Sequence, residues 1–399
     1  MVISIKPVID LEKEYGLVLE GGGAKGAYQI GVWKALREAG VKIKGVAGTS
    51  VGGLNGAMIC MGDLDKAIEV WENLTYSQIM DIDDEVAERL VKGAMPTKES
   101  VSALLGFVKN RGMDVTPLKE LIADIIDPRA IQASPMDFYV TTFNLDEMRE
   151  EQINMKEVDE DLLENYLLAT SYMAPVFKVE KLRGTFYMDG GAADNIPVSV
   201  LLDAGYKDLI VVRIYGVGIT KKVEIAEDVS ILEIAPRTDL GGILEFDGER
   251  SKKNIMKGYL DGLRAIYRLE GLLYYIDEAY TEQYYLDRLL NMPDALKEEI
   301  LSMYRPDMPK CLWARKFTEK ILPAIASELR LGSDWTYQDL FLGMLEATAK
   351  MCRVPRNRVY TVEELLEEVR LRYREAEDLD EDLAFVKMIC CCSEIGRSA

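Results

Sequence analysis

Tyr15–Ala57 reads YGLVLEGGGAKGAYQIGVWKALREAGVKIKGVAGTSVGGLNGA. Its opening, Tyr15 to Glu20, is a short apolar run halted by Gly21-Gly22-Gly23, the pattern of a buried strand. Ala27–Ala39 follows with Ile30, Trp33, Ala35 and Leu36 near helical spacing, and Gly40 closes it as a C-cap glycine would. Val41–Ala47 is a second strand, ending at Gly48-Thr49-Ser50-Val51-Gly52-Gly53. Leu54–Met61 and Leu64–Trp71 then take helical spacing again. Strand, helix, strand, helix in direct succession is the order of a parallel-sheet α/β protein.

Further along, Thr75–Ser100 is mixed and charged and is expected to be a helical insertion over the sheet. Thr116-Pro117 sets a cap residue before a first-turn proline, opening a helix to about Ile126. Phe138–Phe143 (FYVTTF), β-branched and aromatic, is a strand, and Glu151–Met155 is expected to pair with it. Asp161–Thr170 is a helix, and Thr185–Met188 a short strand ending at Asp189-Gly190-Gly191. Leu209–Ile214 and Ser230–Ile234 are further buried strands. From about Asp247 the texture changes. The segments 252–275, 278–304, 313–329, 337–352 and 362–391 are long and helix-rich, and Thr361-Val362-Glu363-Glu364 spells a capping box. The expected layout is an α/β domain over 1–246 and a helix-rich C-terminal domain or extension over 247–399.

Composition narrows the chemistry. The chain has 399 residues, 48% hydrophobic and 29% charged, enough to bury a large core and fill two domains. A net charge of −20 repels polyanions and argues against nucleic-acid binding. The start, MVISIKPVIDLEKEYG, lacks the apolar stretch of a secretory leader, and no apolar run is long enough to span a bilayer. A cytoplasmic protein, at most peripheral to a membrane, is expected. Cys60, Cys311, Cys352 and the run Cys390–Cys392 show no paired metal-ligand spacing and are expected to be reduced thiols. Histidine is absent altogether. That excludes Ser-His-Asp and Cys-His hydrolysis and HExxH metal chemistry.

Three glycine-bearing motifs remain. Gly48-Thr49-Ser50-Val51-Gly52 fits GxSxG between a strand and a helix, where a sharp turn excludes side chains at Gly48 and Gly52 and holds Ser50 at a helix head beside the Val51 amide. Gly21-Gly22-Gly23-Ala24-Lys25-Gly26 fits the dinucleotide spelling GxGxxG, but the second strand ends at Gly48-Thr49-Ser50 without an acidic residue for a ribose. A P-loop fails because Ala27 follows Gly26. A nest of backbone amides suited to an oxyanion, or a plain tight turn, stays open. Asp189-Gly190-Gly191 presents a carboxylate uncovered by its neighbours, but taken alone the motif favours a plain Asx turn; its company with the other two motifs is what points to chemistry.

Together these blocks resemble the patatin-like phospholipase family. The matching stretches are GLVLEGGGAKGAYQIGVWKAL (Gly16–Leu36), GVAGTSVGGLNGA (Gly45–Ala57), LLATSYMAPVF (Leu167–Phe177) and YMDGGAADNIPV (Tyr187–Val198), in family order and spacing over about the first 215 residues. DLGGILEFD (Asp239–Asp247) and NIMKGYLDG (Asn254–Gly262) are similar to bacterial members. The resemblance implies a three-layer α/β fold with a mixed, largely parallel central sheet between helices. It also implies a lipid acyl hydrolase needing no metal or cofactor, with Ser50 as nucleophile and Asp189 as base. Gly21, Gly22, Gly23, Ala24, Lys25, Gly26 and Val51 would surround the oxyanion, and Gly190 and Gly191 complete the base motif. A lipid or other acyl ester is the implied substrate. An acyltransferase or thioesterase with the same dyad, or a catalytically silent scaffold, are the alternatives. Aspartate and histidine differ in reference pKa by about 2.6 units, roughly 3.5 kcal/mol of proton affinity. An aspartate base therefore predicts no steep loss of rate between pH 7 and 6, unless its own pKa is strongly raised.

Overall fold

The computed structural model describes residues 3, 5–91, 113–173, 177, 181–304, 313–375 and 383–391. Its main sheet has eight strands: β1 (Glu14–Leu19), β2 (Lys42–Thr49), β3 (Asp137–Asn144), β4 (Arg149–Asn154), β5 (Lys181–Leu182), β6 (Thr185–Asp189), β7 (Asp208–Val212) and β8 (Ser230–Ile234). β1 lies between β2 and β7, and β3 and β8 extend the sheet on either side, all parallel. Burial on both faces is why β1 and β7 read as unbroken apolar runs rather than alternating ones. β4 and β6 run antiparallel to β3, and β5 antiparallel to β6.

Helices α1 (Ala27–Glu38) and α2 (Val51–Met61) follow β1 and β2; α3 (Leu64–Asn73), α4 (Asp84–Val91), α5 (Thr116–Ile125), α6 (Pro128–Ala133) and α7 (Glu160–Thr170) come next. α8 (Val198–Asp203) and α9 (Gly248–Tyr267) complete the set. The structure is thus the mixed α/β fold expected. The expected insertion at Thr75–Ser100 is helical only in α4; residues 75–83 form turns and bends, and 92–100 lie outside the described residues. No helix among the described residues is long and apolar enough to cross a membrane.

The chain divides into two compact units, one spanning Pro7–Ile266 and the other built mainly from Tyr267 onward. The division falls later than the expected 246/247 boundary because α9 belongs with the sheet. A Cβ on Gly31 of α1 would lie 1.9 Å from Ile255 O, and one on Gly258 of α9 1.9 Å from Tyr28 O. Two glycines let the backbones touch, and Tyr28 Oη donates to Asp261 at 3.0 Å across the crossing.

The second unit packs its helices around Tyr285, Phe317, Phe341 and Leu365, all fully buried. The expected run 278–304 breaks into Glu282–Leu290 and Asp294–Tyr304, and 252–275 ends as a helix at Tyr267. Thr361 and Glu364 form the expected reciprocal cap, at 2.9 and 3.2 Å. A two-stranded parallel sheet of β9 (Tyr275–Asp277) and β10 (Val359–Thr361) was not anticipated, since three residues are too few to display a period. Cys60, Cys352 and Cys390 are free thiols; Cys311 and Cys392 lie outside the described residues.

Candidate active site

Ser50 sits at φ 56°, ψ −127°, between the end of β2 and the first turn of α2. Few non-glycine residues hold this conformation, and here the neighbours enforce it. A Cβ on Gly48 would come within 2.3 Å of the Gly52 carbonyl carbon, and one on Gly52 within 2.3 Å of Leu19 O. Only glycine fits at either position. The Ser50 amide donates to Thr170 Oγ1 at 2.9 Å, and Thr170 Oγ1 donates to Thr141 O at 2.6 Å, tying the turn to α7 and β3.

Register then brings the second predicted residue alongside. β4 occupies one edge of β3 from Tyr139 to Asn144, so β2 and β6 share the other edge. Thr49 pairs with Thr141, and Asp189 pairs with the next residue, Thr142. Gly190 follows so closely that a Cβ would lie 2.2 Å from Thr141 O. Asp189 is buried, accepts from the Gly191 amide at 2.8 Å, and lines one hollow together with Ser50. Burial pushes its carboxyl up to about 6, against the opposing pull of the nearby Ser50 side chain and the Gly191 amide.

The glycine loop is narrower as a donor set than expected. The Gly21 amide donates to Asn195 O at 3.1 Å, Ala24 to Ile243 O at 2.9 Å and Lys25 to Gly22 O at 3.3 Å. Gly26 is needed for contact, since a Cβ there would meet Val51 Cγ2 at 2.5 Å. The Gly22 and Gly23 amides have no acceptor among the described residues. Gly23 adopts φ +56° with Ile243 O only 2.1 Å from where a Cβ would stand. Lys25 turns its Nζ away, onto Tyr215 O at 2.7 Å.

Residues 17–202 match the Patatin-like phospholipase family. The chain carries a patatin-like phospholipase domain. It is 31% identical over 186 residues to Lysophospholipase nte1 of Aspergillus terreus, covering 47% of this chain and 11% of that protein. Against Patatin-like phospholipase domain-containing protein 7 of Rattus norvegicus the identity is 25% over 202 residues, 50% of this chain and 13% of the relative. The chain thus spans only a small part of the curated relatives it matches. Among solved structures, VipD from Legionella pneumophila aligns over 96% of this chain and 92% of its own, at 12% identity and a TM-score of 0.35.

An apolar cleft opens from Ser50 across the patatin-like domain, lined by Leu54, Met58, Trp71, Leu118, Ile122 and Phe246 among others. A second hollow on the far side of Gly23 and Ser50 is bounded by Asp189, Asn195, Met188 and Val217. Four residues that build this site escaped the sequence reading. Thr170 anchors the Ser50 amide, and Asn195 brackets Gly21 with its own carbonyl and with Nδ2, 3.0 Å from Gly21 O. Asn55 accepts from Trp71 Nε1 at 3.0 Å and donates to Gly26 O at 2.9 Å. Glu20, only 2% exposed, accepts from Arg213 and from the amides of Ile214, Tyr215 and Gly216. In the sequence Glu20 looks like the polar end of a strand; a charge at the tip of an otherwise wholly buried run was its one visible signal.

Proposed function

We propose that the protein is a lipid acyl-ester hydrolase in which Ser50 attacks and Asp189 moves the proton. The observation that carries this reading is that Ser50 and the buried Asp189 line one hollow, at the head of an apolar cleft and beside two unengaged amides. The lipid part of the reading draws support from the relatives' names and from the cleft's apolar lining, which suits an acyl chain.

Ser50 Oγ attacks the ester carbonyl carbon as its proton passes to Asp189. The carbonyl oxygen, now carrying the negative charge, is held by the Gly22 and Gly23 amides, with Val51 at the helix head close by. The carbon–oxygen bond to the alcohol breaks, and the alcohol leaves with the proton from Asp189. Water then gives a proton to Asp189 and attacks the acyl-enzyme. Collapse releases the fatty acid and returns the proton to Ser50 Oγ. Asp189 is ionised at the start of each half-reaction.

A fluorophosphonate probe tests the assignment. Wild-type protein is expected to be labelled at Ser50, mapped by peptide mass, and to release free fatty acid from a phospholipid or lysophospholipid. Ser50→Ala is expected to lose both. A Ser50→Ala protein that still hydrolyses at wild-type rate would overturn the nucleophile.

A further inference from the structure

Tyr215, Val217 and Ile219 are 54%, 77% and 57% exposed, alternating with Gly216 and Gly218 in the segment after β7. Large apolar side chains in water ordinarily turn inward when the backbone allows it. Here it does not allow it. Glu20 clamps the amides of residues 214–216, and Lys25 Nζ holds Tyr215 O. Ile219 donates its amide to Gly191 O at 2.8 Å and accepts from the Asn195 amide at 2.6 Å. Tyr215 is held at φ 50°, a strained conformation for a side chain of its size. The segment is a rigid fin whose inner edge, Val217 and Gly218, borders the hollow containing Ser50 and Asp189.

We propose that residues 215–219 are the loop through which the protein docks on a phospholipid bilayer, setting the Ser50 site at the lipid surface. The proposal rests on the lipid-hydrolase reading above. Area favours a bilayer over a protein partner. Three partly exposed side chains offer on the order of 300 Å², well short of the ~800 Å² per partner that a stable protein interface buries. Charge points the same way. From Arg213 to Val223 there is no acidic residue, yet Arg213, Lys221 and Lys222 fall in this stretch of a chain carrying −20 overall. Arg213 pairs with Glu20 and Glu233, and Lys221 with Glu150, while exposed Lys222 is placed to meet lipid phosphate. Tyr215 has the amphipathic ring that favours the boundary between apolar and wet regions. Position completes the case, because a water-insoluble ester must cross this rim to reach Ser50.

Binding to phosphatidylcholine vesicles is measured by co-sedimentation in a Ser50→Ala background, so that hydrolysis cannot alter the vesicles. The parent is expected to bind, and added Ile219→Glu to weaken binding about tenfold or more. Ile231→Glu, at an exposed apolar position on β8, is the control and should match the parent. With Ser50 intact, Ile219→Glu should keep probe labelling and hydrolysis of a soluble short-chain ester while losing hydrolysis of vesicle lipid. Equal vesicle binding by parent and Ile219→Glu overturns the proposal. So does a parent that ignores vesicles but forms a dimer that Ile219→Glu dissolves, which would give the fin to a second copy. Vesicle binding lost in Ile219→Glu, in a protein the probe never labels, supports the docking loop and counts against the hydrolase reading instead.

Discussion

Asp189 holds a carboxylate where burial favours the neutral acid, and two measurable consequences follow at the scale of this one residue. With its carboxyl pushed up to about 6, the acid flank of the rate profile should lie near pH 6, because the base must be ionised to accept a proton. The absence of a histidine therefore does not flatten the profile between pH 7 and 6 as the bare aspartate value implies. Burial has moved this carboxyl close to where an imidazole titrates. The same shift acts on stability with the opposite sense. A carboxyl raised from 3.8 to about 6 on folding stabilises the native state at low pH, and that contribution is lost as pH rises through the folded value. Asp189→Asn should abolish hydrolysis yet stabilise the fold at pH 8 by up to about 3 kcal/mol, less the hydrogen bonds it weakens, and so raise the melting temperature there. At pH 4 the two proteins should melt nearly together. Buried Asp194, also pushed up to about 6, leaves part of the pH dependence in the variant. A lower melting point for Asp189→Asn at pH 8 would contradict the account.

Among elements, the loop after β7 and the glycine loop after β1 are set by one side chain. Glu20 lies at the tip of the central strand, and its two oxygens satisfy three successive amides of the neighbouring loop. That loop presses on the glycines: a Cβ on Gly216 would stand 1.7 Å from Gly21 O, and one on Gly22 3.1 Å from Gly216 Cα. Glu20→Gln keeps the volume but removes the charge, leaving one oxygen in place of two and Arg213 poorly compensated. Urea unfolding should show a loss of about 2–3 kcal/mol. Probe labelling of Ser50 should slow in folded protein as the amides of Gly22 and Gly23 lose their backing. An unchanged midpoint together with an unchanged labelling rate would show that Glu20 does not position this loop. The second unit repeats the device, where buried Glu346 accepts from the amides of Leu272, Leu273 and Tyr274. An acidic residue at 2% to 4% exposure in either unit is thus a brace for a turn.

For the molecule as a whole, each unit has a core of its own. That of the second unit, among the described residues, runs from Tyr274 to Ile389. The Ser50 site, its cleft and the bracing residues all fall within 7–266. A fragment of residues 7–266 is expected to fold, melt cooperatively and label with the probe at close to the full-length rate. A fragment ending at Phe246 lacks α9 and exposes the glycine-lined face of α1, so it should be insoluble or unfolded. A soluble, fully reactive 1–246 fragment would restore the boundary that composition alone suggests.

The order of elements, the glycine turns around Ser50 and the loss of every imidazole mechanism were legible in the residues themselves, because apolar period, glycine placement and composition are local properties. The meeting of Ser50 with Asp189 was not. It depends on β2 and β6 taking consecutive positions along one edge of β3, a register that neither strand encodes alone. Likewise, which amides of 21–26 stay unengaged was decided by carbonyls from Asn195 and Ile243, far off in the chain, and Asp189's affinity for its proton by burial that only the folded sheet imposes.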